Sequence, residues 1–176
     1  MEIRFKGVYD KPTVFKAVAL ANKPTRKKFL IRAGLVLLFL VIYTALFLNT
    51  AKQEGLTQEE MLRSPRHLVI ALVILYYLFQ NLLTSRLAAS ALWKKPATQK
   101  ELSGILSNHS LAYMTNGKIS KEFAWEKFVK KDVTPELMVL VSKEGAMCFI
   151  PSYFFRTPED WQRALALVNE RVKVSG

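Results

Sequence analysis

Two stretches of the chain carry no charge: sixteen residues from Ala33 to Leu48 and eighteen from Leu68 to Ser85. With their flanks, each reaches the length of a membrane-spanning helix. Each contains eleven Leu, Ile, Val or Phe residues, which at roughly 0.3–0.6 kcal/mol apiece favours insertion by about 3–7 kcal/mol. Buried helices of a soluble bundle keep a polar stripe, whereas these runs are apolar nearly all round. The first run follows a patterned segment and lacks a small-residue exit, so it reads as a span rather than a cleaved signal peptide.

Outside these runs the pattern is that of short strands and two amphipathic helices. In EIRFKGVY, Ile3, Phe5, Gly7 and Tyr9 alternate with Glu2, Arg4, Lys6 and Val8, which predicts a strand with one buried face. Pro12 in a first turn then predicts a short helix capped by Asp10 or Lys11, with Val14, Phe15, Val18 and Ala19 on one side. Such a short segment cannot build a core alone, so it must dock on the C-terminal region. The second apolar run continues as LTSRLAASALWKK, of helix-forming composition up to Pro96.

Beyond Pro96 the runs shorten. Asn116-Gly117 between SLAYMT and KISKEFAW is a type I′ hairpin signal. Lys143-Glu144-Gly145 joins ELMVLVS to AMCFIP in a second hairpin. Thr157, Pro158, Glu159 and Asp160 mark a helix start, and Trp161, Ala164, Leu165, Val168 and Val172 form its apolar stripe. The aromatic segment from Cys148 to Trp161 is expected to be the seam between the last strand and this helix. There Ile150 closes the strand, Pro151 ends its ladder, Tyr153, Phe154 and Phe155 cross over, and Trp161 plugs the helix onto the sheet.

These patterns divide the chain into an N-terminal strand and helix (1–28), a first span (29–51), a short external loop (52–66), a second span with a cytoplasmic extension (67–95), and a C-terminal domain (97–176). The expected fold class is membrane α+β: a transmembrane helical hairpin plus a small cytoplasmic antiparallel β domain capped by a C-terminal helix. Basic residues set the orientation. Residues 1–32 hold nine Lys/Arg against two acids and residues 86–176 fourteen against nine, while the loop holds three of each. Both termini are therefore expected in the cytoplasm. The net charge of +12 clusters where helices leave the bilayer, so anionic lipid headgroups are the expected counter-charge, and no nucleic-acid motif stands beside it. Arg86, Trp93, Lys94 and Lys95 are the candidate interface anchors, with a helix simply projecting into the cytosol as the alternative; either way this segment joins membrane to domain.

Catalytic patterns are missing from the sequence. His67 and His109 fall on opposite expected sides of the membrane, and one cysteine, Cys148, provides neither a disulfide nor a zinc set. Its strand-like surroundings suit a small buried side chain. The seven glycines form no phosphate loop. Glu122 and Glu126 are four apart in a strand-rich stretch, a spacing that does not join them. Neither uncharged run offers an ionisable group for proton or ion transport, so no cofactor, enzyme or channel is expected. Gln80 and Asn81, roughly 9 Å inside the Arg86 boundary by helical rise, are candidates for an intramembrane contact with a second copy or a partner helix. Satisfaction by backbone or interfacial water is the alternative. Lys127, Lys130 and Lys131 form a candidate basic binding strip.

Leu102 and Gly104 in one strand, the Asn116-Gly117 turn, Phe123-Ala124-Trp125, Ile150-Pro151 and Phe155 together resemble the bacterial YcxB-like membrane proteins. The resemblance covers the layout of nearly the whole chain, with its sequence marks between about residues 100 and 173. It implies two spans followed by a pleckstrin-homology-like barrel, and it brings no reaction. Ser152 stands where a basic residue is common in that family, which speaks against a lipid-phosphate site there. The expected function is that of a non-enzymatic inner-membrane protein whose cytoplasmic PH-like domain binds a protein, peptide or lipid headgroup. The alternative is an immunity protein that neutralises a pore-forming or membrane-targeting toxin.

Overall fold

A computed structural model describes residues 2–24, 26–54 and 65–173. The chain forms two units, one made of residues 1–22 with 84–176 and the other of residues 23–83. The first is a two-sheet antiparallel β region with helices. Its four-stranded sheet has the order β1 (Glu2–Gly7), β2 (Leu102–Ser107), β3 (Ser110–Thr115), β4 (Lys118–Ala124), and its three-stranded sheet the order β5 (Phe128–Val133), β6 (Leu137–Ser142), β7 (Met147–Pro151).

The first strand is therefore separated from its neighbour by more than ninety residues of chain and completes a sheet that would otherwise end at β2. Its alternation explains why it fits. Ile3 and Phe5 face the core while Glu2, Arg4 and Lys6 face out. Phe5 pairs across the strands with Gly104. A Cβ on Gly104 would overlap the Phe5 ring and come within 2.5 Å of the Ala112 carbonyl oxygen, so the bare glycine makes room for the aromatic ring. The ring of Phe5 then meets Tyr113 edge-on at 5.9 Å and Phe155 at 6.1 Å.

Helix α1 (Lys11–Ala21) starts at Asp10, whose carboxylate accepts from the Thr13 amide at 2.7 Å. It packs on β6, with further contacts to β5 and β7. Cover on both faces explains the continuous buried run Leu137–Leu140, which an open sheet would show as alternation. The buried side of α1 is Val14, Ala17 and Val18. Ala19, expected on that side, is exposed, and Phe15 is half-buried beneath Lys11.

The Asn116-Gly117 turn joins β3 to β4 with φ of 52° and 75°, as a type I′ turn requires. The strand β7 runs through Pro151, which pairs with Leu137. A single helical turn, Ser152–Phe154, then leads to the terminal helix, numbered α4 below (Pro158–Arg171). Phe154 and Phe155 are buried as a seam demands, whereas Tyr153 stays half exposed and its hydroxyl accepts from the Asp10 amide at 3.3 Å. Thr157 caps α4 by accepting from the Asp160 amide at 3.1 Å. Trp161 packs against Phe155 with the rings tilted and their centres 5.3 Å apart, and donates from Nε1 to the Pro135 carbonyl at 2.9 Å. The inner face of α4 is Trp161, Ala164, Leu167 and Val168; Leu165, expected on that stripe, is only partly buried.

The second unit contains α2 (Arg26–Glu54) and α3 (Pro65–Trp93) as far as Leu83. Phe29–Phe47 is long and apolar enough to cross a membrane, and none of it is buried within the protein. Its side chains include Leu30, Leu37 and Leu46, all more than half exposed. Val69, Leu72, Val73, Leu75 and Tyr76 on α3 are similarly exposed. Most of the loop expected over 52–66 lies outside the described residues.

Candidate functional site

The three lysines read as one basic strip do not form a shared surface. Side chains of adjacent strand residues leave on opposite faces, and the structure uses each lysine differently. Lys130 turns to the end of α1, donating from Nζ to the Leu20 and Ala21 carbonyls at 2.9 and 2.7 Å, with Asp132 at 3.2 Å. Lys131 reaches the end of α4 and donates to the Asn169 carbonyl at 3.3 Å. Both ammonium groups thus sit where unpaired carbonyls and the negative end of the helix dipole favour a cation. Lys127 remains at the surface, 4.0 Å from Glu144.

The expected membrane anchors divide as well. Arg86, Lys94 and Lys95 are exposed. Trp93 is half-buried against the β-region core, together with Leu92. The carbonyls that α3 leaves unpaired at its end are taken by side chains: Thr98 Oγ1 donates to the Leu92 carbonyl and Gln99 Nε2 to the Trp93 carbonyl, each at 2.9 Å. The segment after the second apolar run is thus a helix stop docked on the β region. Gln80 and Asn81 are half-buried, and each already has an interaction partner within the chain.

One cleft was not visible in the sequence. It has a volume of about 260 Å³ and draws its lining from both sheets and from the end of α3. Leu102, Phe123, Met147 and Phe149 form apolar walls, Tyr9, Tyr113 and Cys148 supply polar atoms, and among the described residues Lys95 and Lys121 are the charged ones that line it. The Tyr9 hydroxyl donates to the Phe149 carbonyl at 2.7 Å, and the Tyr113 hydroxyl and Cys148 thiol are near enough to influence each other's ionisation. Burial pushes both phenols well above their ordinary range. It also pushes the Cys148 thiol up to about 11, against smaller opposing effects of the Tyr113 hydroxyl and the Lys121 charge. At neutral pH Cys148 is therefore a protonated thiol, and among the described residues no imidazole or carboxylate lines the cleft to activate it.

Among the described residues no three His, Cys, Asp or Glu side chains gather as a metal site. His109 lies in the β2–β3 turn, with its amide held by Ser107 Oγ at 3.2 Å. Glu122 accepts from Ser110 on the neighbouring strand. The signal that could have found the cleft is weak: Lys121 and Phe123 alternate on one face of β4, but their partners come from segments far apart in the chain. No protein-family model matches this chain, and no curated protein matches it, so its own residues carry the functional argument.

Proposed function

We propose that this chain is a non-enzymatic bacterial inner-membrane protein with two spans, both termini in the cytoplasm, and a PH-like recognition domain that binds a protein, peptide or lipid headgroup. The observation that carries the reading is the pairing of β1 with β2. These strands lie on either side of the two long apolar helices in sequence yet share one sheet. A chain that leaves this sheet and crosses a bilayer at Phe29–Phe47 must cross again before it returns. Among the described residues, the long apolar run of α3 supports the reading of that second crossing.

The PH-like reading draws on the order of elements: a four-stranded sheet, a three-stranded sheet and a terminal helix. That arrangement agrees with the resemblance to YcxB-like proteins. Recognition rather than catalysis is supported by a cleft with apolar walls and basic rim but no acid–base pair. Exposed Arg86, Lys94 and Lys95 near the end of α3 suit anionic headgroups. The test is capture of partners by the full-length protein from solubilised membranes, set against a variant whose cleft is filled by Ala146→Trp. Partners lost with the filled cleft support recognition by the β region, and partners retained by it move recognition to the helices. Recovery of a membrane toxin domain would favour an immunity role.

A further inference from the structure

We propose that the cleft between the two sheets binds a small anionic amphiphile, a single apolar chain ending in a carboxylate, with the chain among Leu102, Phe123, Met147 and Phe149 and the carboxylate at Lys121 and Lys95. This deepens the recognition reading above and rests on it. Three features select the ligand. The first is size: about 260 Å³ lies just below the roughly 300–1,000 Å³ of sites for drug-sized molecules, which suits one short chain and leaves no room for a folded segment.

The second is how the interior is satisfied. Tyr9 is bonded to the Phe149 carbonyl and Thr98 to the Leu92 carbonyl. These two hydroxyls are already paired, so the cleft rewards an apolar occupant. The third is the charge at the rim. The Lys121 ammonium stands 4.9 Å from the centre of the Phe123 ring and close enough to influence the Cys148 thiol, so it hangs over the cleft. Lys95 adds a second cation, and among the described residues no carboxylate lines the cleft to neutralise either. A ligand with charge alone would leave the walls unused, and one with a tail alone would leave two cations unpaired. A carboxylate at the end of the chain meets both requirements through charge-assisted hydrogen bonds.

Cys148 lines the cleft and is the chain's one cysteine, so its alkylation reports occupancy directly. The full-length protein in lipid nanodiscs is labelled with a maleimide while octanoate is titrated in. At ten times the dissociation constant about one-eleventh of the sites stay free, and labelling slows about tenfold. Octanol and acetate, which match the tail and the charge separately, leave the rate nearly unchanged at the same concentration. Lys121→Gln shifts the octanoate needed upward by about tenfold, as loss of a charge-assisted bond requires.

A photoreactive octanoate carrying a diazirine provides a readout independent of thiol reactivity. Adducts are expected on Lys121–Phe123 and Met147–Phe149, with competition by unlabelled octanoate. Equal protection by octanol, no protection by octanoate, or adducts confined to α2 and α3 would each overturn the proposal. A protein that still captures a cleft-dependent partner while failing these tests keeps the recognition reading and loses this ligand.

Discussion

Replacing Lys130 with Met keeps most of the stem and removes the ammonium from the end of α1. That group holds two backbone carbonyls and pairs with Asp132. Hydrogen bonds from a charged donor contribute about 1.5–3 kcal/mol each, but one ammonium shared between two carbonyls does not give the full sum. The Lys130 and Asp132 side chains are 27% and 28% exposed, so water replaces part of what is lost. The remainder, including an Asp132 left without its cation, comes to about 2–3 kcal/mol. For a unit of this size that lowers the unfolding midpoint by about 10 °C.

The three tryptophans, Trp93, Trp125 and Trp161, all lie in the β unit. Tryptophan fluorescence during heating therefore follows that unit. Lys127→Met, at an exposed pair 4.0 Å apart, is expected to change the midpoint by no more than about 1–2 °C. Adding Asp132→Asn to Lys130→Met should restore part of the loss, since the half-buried side chain at 132 then carries no charge that lacks a cation. Equal, negligible shifts for Lys127→Met and Lys130→Met would refute the capping role and return both lysines to a common surface.

Three further outcomes follow from the same geometry. Gly104→Ala forces a methyl group into the Phe5 ring and the Ala112 carbonyl, for a loss of about 1–3 kcal/mol by chemical denaturation; a neutral result would mean that β1 does not pair there. Gly117→Val, at φ 75° in the β3–β4 turn, should cost about 1–2 kcal/mol in the same assay. The Cys148 thiol, raised to about 11 in the fold, should show half-maximal alkylation near that pH rather than near the ordinary value of about 8.5. Because the folded value lies above the unfolded one, the neutral thiol's contribution to stability is fully present below the ordinary value and disappears as pH rises towards 11. Cys148→Ala should flatten that part of the stability profile.

Local signals in the sequence located much of the β region. Asn116-Gly117 dictated a hairpin through its backbone angles, and Asp10-Lys11-Pro12 and Thr157-Pro158 dictated helix starts through capping. Each of these is decided within a few residues. The long-range features were less legible. That Phe5 lies over Gly104 depends on two strands far apart in sequence, and periodicity reports only that each has a buried face. The helix stripes were displaced slightly: Ala17 rather than Ala19 faces β6 from α1, and Leu167 lies deeper than Leu165 in α4.

Charge was the most misleading signal. Lys127, Lys130 and Lys131 are close in sequence, but strand alternation and two helix ends determine where the latter two point. Trp93 beside two lysines looked like an interfacial aromatic, while its ring is half-buried against the β-region core. The cleft could not be read at all, because its walls are assembled only when the two sheets and the end of α3 meet.

The account depends on residues 2–22 and 84–173 lying on one side of a membrane that the chain between them crosses twice. Sidedness of single cysteines in intact cells tests this most directly, using a Cys148→Ala background with Glu2→Cys, Thr57→Cys or Lys173→Cys and a membrane-impermeant maleimide. Labelling at Thr57→Cys alone is the expected result, with the other two reacting only after the cells are opened. Opposite behaviour of Glu2→Cys and Lys173→Cys would contradict the shared sheet and the two crossings together.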